Sequence, residues 1–256
     1  MSASTVVIPC YDEAKRLDAG RIGAFLHAER DVALVLVDDG SRDGTLALLR
    51  DLAAKHPGRV DVLALERNRG KAEAVRRGVL HALGRAPDYV GYWDADLATP
   101  LELIPAFARL LDERPELELV MGARVALLGH AISRRLSRHY VGRVGATLIS
   151  LVLGFPVYDT QCGAKLLRAG PLAERLFAQP FLAGWTFDVE LLARVARDRA
   201  ARGLPSVASA LYEYPLPAWR DVPGSKIGGL DYLRAGRELW RIHRRYHPRA
   251  LRRGAR

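Results

Sequence analysis

Two aspartates, Asp94 and Asp96, stand at i and i+2 directly behind the apolar run Tyr89–Trp93. Carboxylate oxygens suit hard divalent cations, and Mg²⁺ is usually held by one or two carboxylates with substrate phosphate oxygens completing its shell. A pair so placed can therefore hold a metal against a diphosphate. The same spacing is ordinary turn chemistry, because Asp accepts from its own backbone at turns and caps helices; taken alone, the pair favours a turn. Three further polar clusters follow short apolar runs in the same way: Pro9-Cys10-Tyr11-Asp12-Glu13, Asp38-Asp39-Gly40-Ser41-Arg42-Asp43-Gly44-Thr45, and Asn68-Arg69-Gly70-Lys71. A helix beginning at Gly70-Lys71 offers backbone N–H groups and an ammonium to phosphate.

The elements that must position these clusters alternate. Residues 4–9 (STVVIP), 33–37 (ALVLV), 60–65, 89–93 and 117–121 read as short buried strands. Helical spacing follows several of them: Ala72, Val75, Val79, Ala82 and Leu83 in 71–83, then residues 101–111 behind the Thr99-Pro100 cap and helix-starting proline. Strands alternating with helices of this length predict an α/β fold, a mostly parallel central sheet with helices on both faces. In such sheets ligands bind outside the carboxyl ends of the strands. All four polar clusters fall there, which turns the balance at Asp94 and Asp96 toward a metal site.

A chain of 256 residues that is 49% hydrophobic and 27% charged is globular rather than disordered. Two distant cysteines, Cys10 and Cys162, have no ligand spacing and predict reduced packing residues in a cytoplasmic protein. No window is long and apolar enough to span a bilayer, and residues 1–8 do not read as a signal peptide. The net charge of +10 is uneven: nine Arg and one acid, Glu238, lie between residues 234 and 256. A second basic block holds Arg124, Arg134, Arg135, Arg138 and Arg143. Both predict an anionic partner. Nucleic acid is disfavoured, because carboxylates at the strand ends would repel phosphate without a metal.

VIPCYDE, VDDGSRDGT, NRGKAEAVRRG and WDADLATP, in this order, resemble the nucleotide-sugar half of a family 2 glycosyltransferase with the GT-A (Rossmann-like) fold. Asp159-Thr160-Gln161-Cys162-Gly163-Ala164-Lys165, the stretch from Trp185 to Leu192, and Pro223-Gly224-Ser225-Lys226 resemble the polyprenyl-phosphate branch that includes the dolichyl-phosphate β-glucosyltransferases. The resemblance implies a GT-A domain over residues 1–226, with a donor half at 1–124 and an acceptor half at 125–226. A basic amphipathic C-terminal helix and tail follow at 227–256.

It implies an inverting, metal-dependent transfer of a hexose, glucose above others, from a nucleotide diphosphate sugar, UDP-linked above others, to a polyprenyl phosphate. Pro9, Tyr11, Glu13, Asp38, Asp39, Lys71, Asp94 and Arg124 would bind the donor. Asp94 and Asp96 would hold Mg²⁺ or Mn²⁺. A phosphate acceptor is already ionised near neutral pH, so cations to orient it matter more than a base. Arg134 and Arg138, at i and i+4, match two basic positions of the branch; Gln161, Lys165, Trp185 and Lys226 join them on the acceptor side, Lys165 from a loop. Arg135 and Arg143 match nothing in the family pattern. The alternative acceptor is a saccharide hydroxyl in cell-surface polysaccharide synthesis, for which Asp188 is the candidate base and Glu190 the weaker one.

A lipid acceptor implies peripheral contact with an anionic membrane at its cytoplasmic face. Residues 144–155 (VGATLISLVLGF) are apolar, and Tyr232, Ala235, Leu239, Ile242 and Tyr246 recur at helical spacing among arginines beside Trp240. A basic amphipathic helix with a Trp reads as interfacial; the competing reading packs that helix on the domain. Oligomeric state is not legible.

Overall fold

The computed structural model describes residues 2–125, 131–133, 136–220 and 229–246. Its main sheet contains β1 (Ser4–Cys10), β2 (Val32–Asp38), β3 (Val60–Ala64), β4 (Tyr89–Trp93), β5 (Leu119–Ala123), β7 (Ala164–Arg168) and β8 (Leu211–Pro215), in the order β3-β2-β1-β4-β7-β5-β8. A small parallel pair joins β6 (Ala131–Ser133) to β9 (Ala218–Arg220). The main sheet is parallel except for β7, which runs antiparallel between β4 and β5. The helices are α1 (Ala19–Ala28), α2 (Thr45–Lys55), α3 (Lys71–Leu83), α4 (Ile104–Glu113), α5 (Leu136–Leu153), α6 (Pro171–Ala178), α7 (Phe187–Ala201) and α8 (Gly229–Tyr246).

Strand side chains alternate between two cores. Val7, Val35 and Val37 pack on one face with Val75 and Val79 of α3, while Val6, Ile8, Leu34 and Leu36 pack on the other with Ile22 of α1 and Leu49 of α2. Continuous apolar runs in β1 and β2 are therefore what a sheet covered on both faces requires. Gly78 of α3 lets this helix lie close on the sheet, since a Cβ there would come within 2.4 Å of Val7. Both cysteines are buried and free, and burial pushes the Cys162 thiol up to about 11, so they act as packing residues.

Three expectations shift. The fifth strand starts at Leu119 rather than 117, because the Leu117 N–H is spent on a turn to the Arg114 carbonyl. The helix after Asp96 opens with a single 3₁₀ turn, Leu101–Leu103, before α4, whose first turn contains Pro105, a residue with no N–H to donate. Lys165, expected in a loop, lies in β7, where a lysine and an arginine within five residues mask a buried strand.

Candidate active site

The carboxyl ends of β1, β2 and β4 open into a cleft of about 310 Å³ walled by Pro9, Tyr11, Glu13, Arg16, Asp39, Asn68, Gly70, Lys71, Asp94 and Asp96. Seven of the expected donor-side and metal residues meet here: Pro9, Tyr11, Glu13, Asp39, Lys71, Asp94 and Asp96. Asp39 accepts from the backbone N–H groups of Arg69 (2.7 Å) and Gly70 (2.8 Å), so the loop after β2 fixes the start of α3. Burial raises its pKa, against the lowering effect of those two donors. Gly70 has φ +88°, and Gly40, at φ +68°, passes so close to Arg67 that a Cβ would clash with its backbone at 2.5 Å. Both positions favour glycine.

Asp38 is buried beside the cleft rather than in its wall. One of its carboxylate oxygens accepts from the Ser41 N–H at 3.3 Å; the other has no hydrogen-bond partner among the described residues. A buried acceptor without a donor is costly, and a ligand N–H or hydroxyl would satisfy it. Glu13 is engaged by Arg16, with Nε 2.8 Å from Oε2 and Nη2 on the other oxygen. Arg16 was not singled out in the sequence; an arginine three residues beyond a cleft carboxylate is the signal that could have found it.

Lys71 reaches Asp94 with Nζ 2.5 Å from Oδ1. The cleft walls lower the pKa of this ammonium, but Asp94 and then Asp188 outweigh them, and it ends above its ordinary value. Asp94 leans over Gly163, whose missing side chain makes its place: a Cβ there would lie 1.9 Å from Oδ2. The Asp94 N–H is also bonded to the Gly163 carbonyl at 2.9 Å. Asp96 accepts from the Ala98 N–H at 3.0 Å in a turn whose Leu97 has φ +50°. Removal from bulk water, and next the charge of Asp94, raise its carboxyl pKa.

Among the described residues no three His, Cys, Asp or Glu side chains gather as a ligand set. A divalent ion here would use Asp94 and Asp96 and complete its shell with phosphate oxygens and water, which suits Mg²⁺ or Mn²⁺. The donor set fits, since the charge of Asp94 beside Asp96 is a repulsion that a cation would relieve.

Behind this wall lies a buried hub. Asp188, 3% exposed at the start of α7, accepts through Oδ1 from Lys165 Nζ at 2.5 Å and from the Tyr92 hydroxyl. Burial, then the charge of Asp188, push the Tyr92 phenol well up. Lys165 is fully buried, and its other bonds run to the carbonyls of Thr160 (2.9 Å) and Cys162 (2.7 Å). The expectation that Lys165 faces an acceptor is thus corrected: its three N–H groups are committed inside the fold.

Arg124 is largely buried at the end of β5. It forms a two-bond pair with Asp159, Nε to Oδ2 at 2.6 Å and Nη2 to Oδ1 at 2.7 Å, and stacks 5.2 Å from the Trp219 ring. Its pKa rises because this pairing exceeds the effect of burial. Gln161, two residues after Asp159, is half-buried, with Nε2 unpartnered among the described residues. Trp185 is 38% exposed, ahead of α7. Glu190 is fully buried and accepts from the Leu182 and Ala183 N–H groups, Arg194 and the Tyr246 hydroxyl, so it is a structural anchor rather than a base. Arg134 and Lys226 lie outside the described residues, as do the side chain of Arg138 in α5 and all of 247–256.

Comparison with known proteins agrees with this architecture. The family model described as "Glycosyl transferase family 2" matches residues 5–176. A dolichyl-phosphate β-glucosyltransferase of Drosophila melanogaster is 32% identical over 94% of this chain and 74% of its own length. Glucosyl-3-phosphoglycerate synthase from Mycobacterium tuberculosis, solved with Mn²⁺, UDP and glucosyl-3-phosphoglycerate, superposes with a TM-score of 0.62 at 21% identity, over 94% of this chain and 77% of that one. A mannosyltransferase from Pyrobaculum calidifontis, solved with GDP-mannose and Mn²⁺, gives 0.60 at 20% identity over 94% and 63%. The cleft at the strand ends, the family match and the shared fold lead to one conclusion: the chain belongs to glycosyl transferase family 2 and is a glycosyltransferase with the GT-A fold.

Proposed function

We propose that this enzyme transfers a hexose, glucose above others, from a UDP-linked donor to a polyprenyl phosphate at the cytoplasmic face of a membrane, with inversion at the sugar carbon. Residues 1–124 serve the donor in this reading and 125–226 the acceptor. The observation that carries it is the grouping of Asp94, Asp96 and Lys71 around one cleft at the strand ends. It is supported by 32% identity to a dolichyl-phosphate β-glucosyltransferase.

Asp38 offers its unpartnered oxygen to the base or ribose, beside Tyr11 and Asp39. Asp94 and Asp96 hold Mg²⁺ or Mn²⁺, which when bound neutralises charge on the departing diphosphate. Lys71, held charged by Asp94 and Asp188, adds a cation from the N-terminus of α3. Arg134 and Arg138 orient the acceptor phosphate in this reading, and Gln161, Trp185 and Lys226 serve the same acceptor. A phosphate dianion attacks without a strong base, since its second pKa is near 6.

The alternative, a saccharide hydroxyl acceptor, requires a free base. Asp188 is the candidate, and its burial and its two bonds through one oxygen weigh against that role. Calorimetry with UDP- and GDP-sugars in Mn²⁺, followed by transfer assays on Arg134→Ala plus Arg138→Ala, tests the proposal. Retained donor binding with loss of transfer to a short polyprenyl phosphate is expected. Unchanged transfer removes both arginines from the acceptor site.

A further inference from the structure

Helix α8 is clamped to the body through a buried acid. Glu238 is buried and accepts from the backbone N–H groups of Gly184 (3.1 Å), Trp185 (3.1 Å) and Thr186 (2.8 Å) and from the Thr186 hydroxyl (2.9 Å). It thus sits at the N-terminal end of α7, where a carboxylate is favoured. Ile242 is buried one turn further on, and Leu239 and Tyr246 pack against the same core. With that face turned inward, the opposite face is fixed outward.

The outward face carries a defined composition. Leu233, Arg237, Trp240 and Arg244 follow one another at i, i+4, i+7 and i+11, and all are exposed, Leu233 by 69% and Trp240 by 60%. Arg241 is exposed beside them, and the guanidinium of Arg244 lies 5.4 Å from the Trp240 ring. From 233 to 246 the only acid is Glu238, so the outward stripe is apolar and cationic with no counter-charge of its own.

Its neighbour α5, which packs beside α8, repeats the pattern. Val144, Leu148 and Leu151 at i, i+4 and i+7 are 64%, 54% and 68% exposed, while Ile149 and Leu153 of the same helix are buried. Arg143, exposed at the start of that row, sits over the Tyr158 ring at 4.1 Å. Five large apolar side chains on two adjacent helices need a partner, and a cationic setting specifies its charge. No helix among the described residues is long and apolar enough to cross a membrane.

We infer that the exposed rows of α5 and α8 form a docking surface for an anionic lipid bilayer, with the apolar side chains entering the acyl boundary and the arginines at headgroup depth. This rests on the reading of a lipid acceptor and adds which surface meets the lipid. Through Glu238 the same helix holds the loop at Trp185, so docking fixes the acceptor side of the enzyme relative to the membrane.

Sedimentation of the full chain with vesicles of phosphatidylcholine alone, and of phosphatidylcholine mixed with phosphatidylglycerol, tests the surface. Binding to the mixed vesicles that salt weakens is expected. Leu148→Ser plus Trp240→Ser lowers partition by about tenfold or more, and Arg237→Gln plus Arg241→Gln by about fivefold per arginine. UDP binding by calorimetry stays unchanged in both variants. Equal sedimentation with neutral vesicles, partition untouched by the variants, or a dimer in light scattering that the same variants dissolve overturns the inference. Transfer to a short polyprenyl phosphate in detergent is measured alongside: its absence with intact vesicle binding strikes the reaction, and the converse strikes the surface.

Discussion

Lys165 of β7 and Asp188 of α7 form a fully enclosed ion pair, Nζ 2.5 Å from Oδ1, and the hydroxyl of Tyr92 ties strand β4 to the same carboxylate oxygen. The pair sits behind the cleft and touches none of the solvent a substrate would replace. Breaking a buried pair by removing one partner costs about 3–5 kcal/mol, because the other charge stays buried alone. Lys165→Met is therefore expected to lower the unfolding free energy by that amount in denaturant titrations. Lys165→Met plus Asp188→Leu should recover much of the loss. Equal destabilisation in single and double variants would show that the two do not act as a pair.

Asp96 gives the site a pH signature. Its folded pKa is raised, so a proton competes with the metal at higher pH than for an ordinary aspartate. Metal affinity should fall as pH drops through that raised pKa and be full above it. The sign for stability is the reverse of a salt-bridged carboxylate: without metal, the folded state gains stability as pH falls through the raised value. Mn²⁺ titrations and melting curves from pH 7 to mildly acid should show both trends, and Asp96→Asn should abolish both. A flat metal affinity across that range contradicts the assignment.

Gly163 tests the placement of Asp94 without touching a charge. In Gly163→Ala the new Cβ meets Asp94 Oδ2 at 1.9 Å, so the carboxylate must move from Lys71 and would be lost to a metal that it and Asp96 would hold. A misplacement of this size costs about a hundredfold in rate. Weaker Mn²⁺-dependent donor binding, in a protein whose circular dichroism is unchanged, is the expected outcome in calorimetry.

Glu238→Ala leaves three backbone N–H groups and the Thr186 hydroxyl without their acceptor. Each buried unsatisfied donor costs about 1–3 kcal/mol, and a protein of this size loses about 2–4 °C of melting temperature per kcal/mol. Hydrogen exchange should quicken at 184–187 and along α8. Unchanged exchange at 184–187 would mean that the clamp is not formed.

Much of this was legible before the fold. The apolar runs of β1, β2 and β4 are buried on both faces, so their strand character shows as nearly uninterrupted apolar sequence, and the polar clusters behind them mark the cleft. The neighbours across the sheet were not legible. Lys165 looks like a phosphate ligand because a lysine in a polar motif usually faces water; its partner Asp188 lies 23 residues away, and only the antiparallel insertion of β7 brings them together. Glu238 stood out as the lone acid of a basic tail, yet its sign could not tell that it faces the N-terminus of α7. Gly163 read as part of a motif, while its use, room for the Asp94 carboxylate, depends on a contact between separate strand ends. Arg124 carried the right chemistry for diphosphate, while its pairing with Asp159, 35 residues away, could not be read from the sequence.

The central claim is that Asp94 and Asp96 activate a UDP-sugar for attack by a polyprenyl phosphate. The most direct measurement is mass spectrometry of the lipid after incubating the enzyme with UDP-glucose and a short polyprenyl phosphate, with Mn²⁺ or with chelator. A hexosyl-phosphoryl-polyprenol that forms with Mn²⁺, and falls by at least about a hundredfold with chelator or in Asp96→Asn, is the predicted result. Glucosylation of a saccharide hydroxyl with the polyprenyl phosphate unmodified, or equal product with chelator, would contradict it.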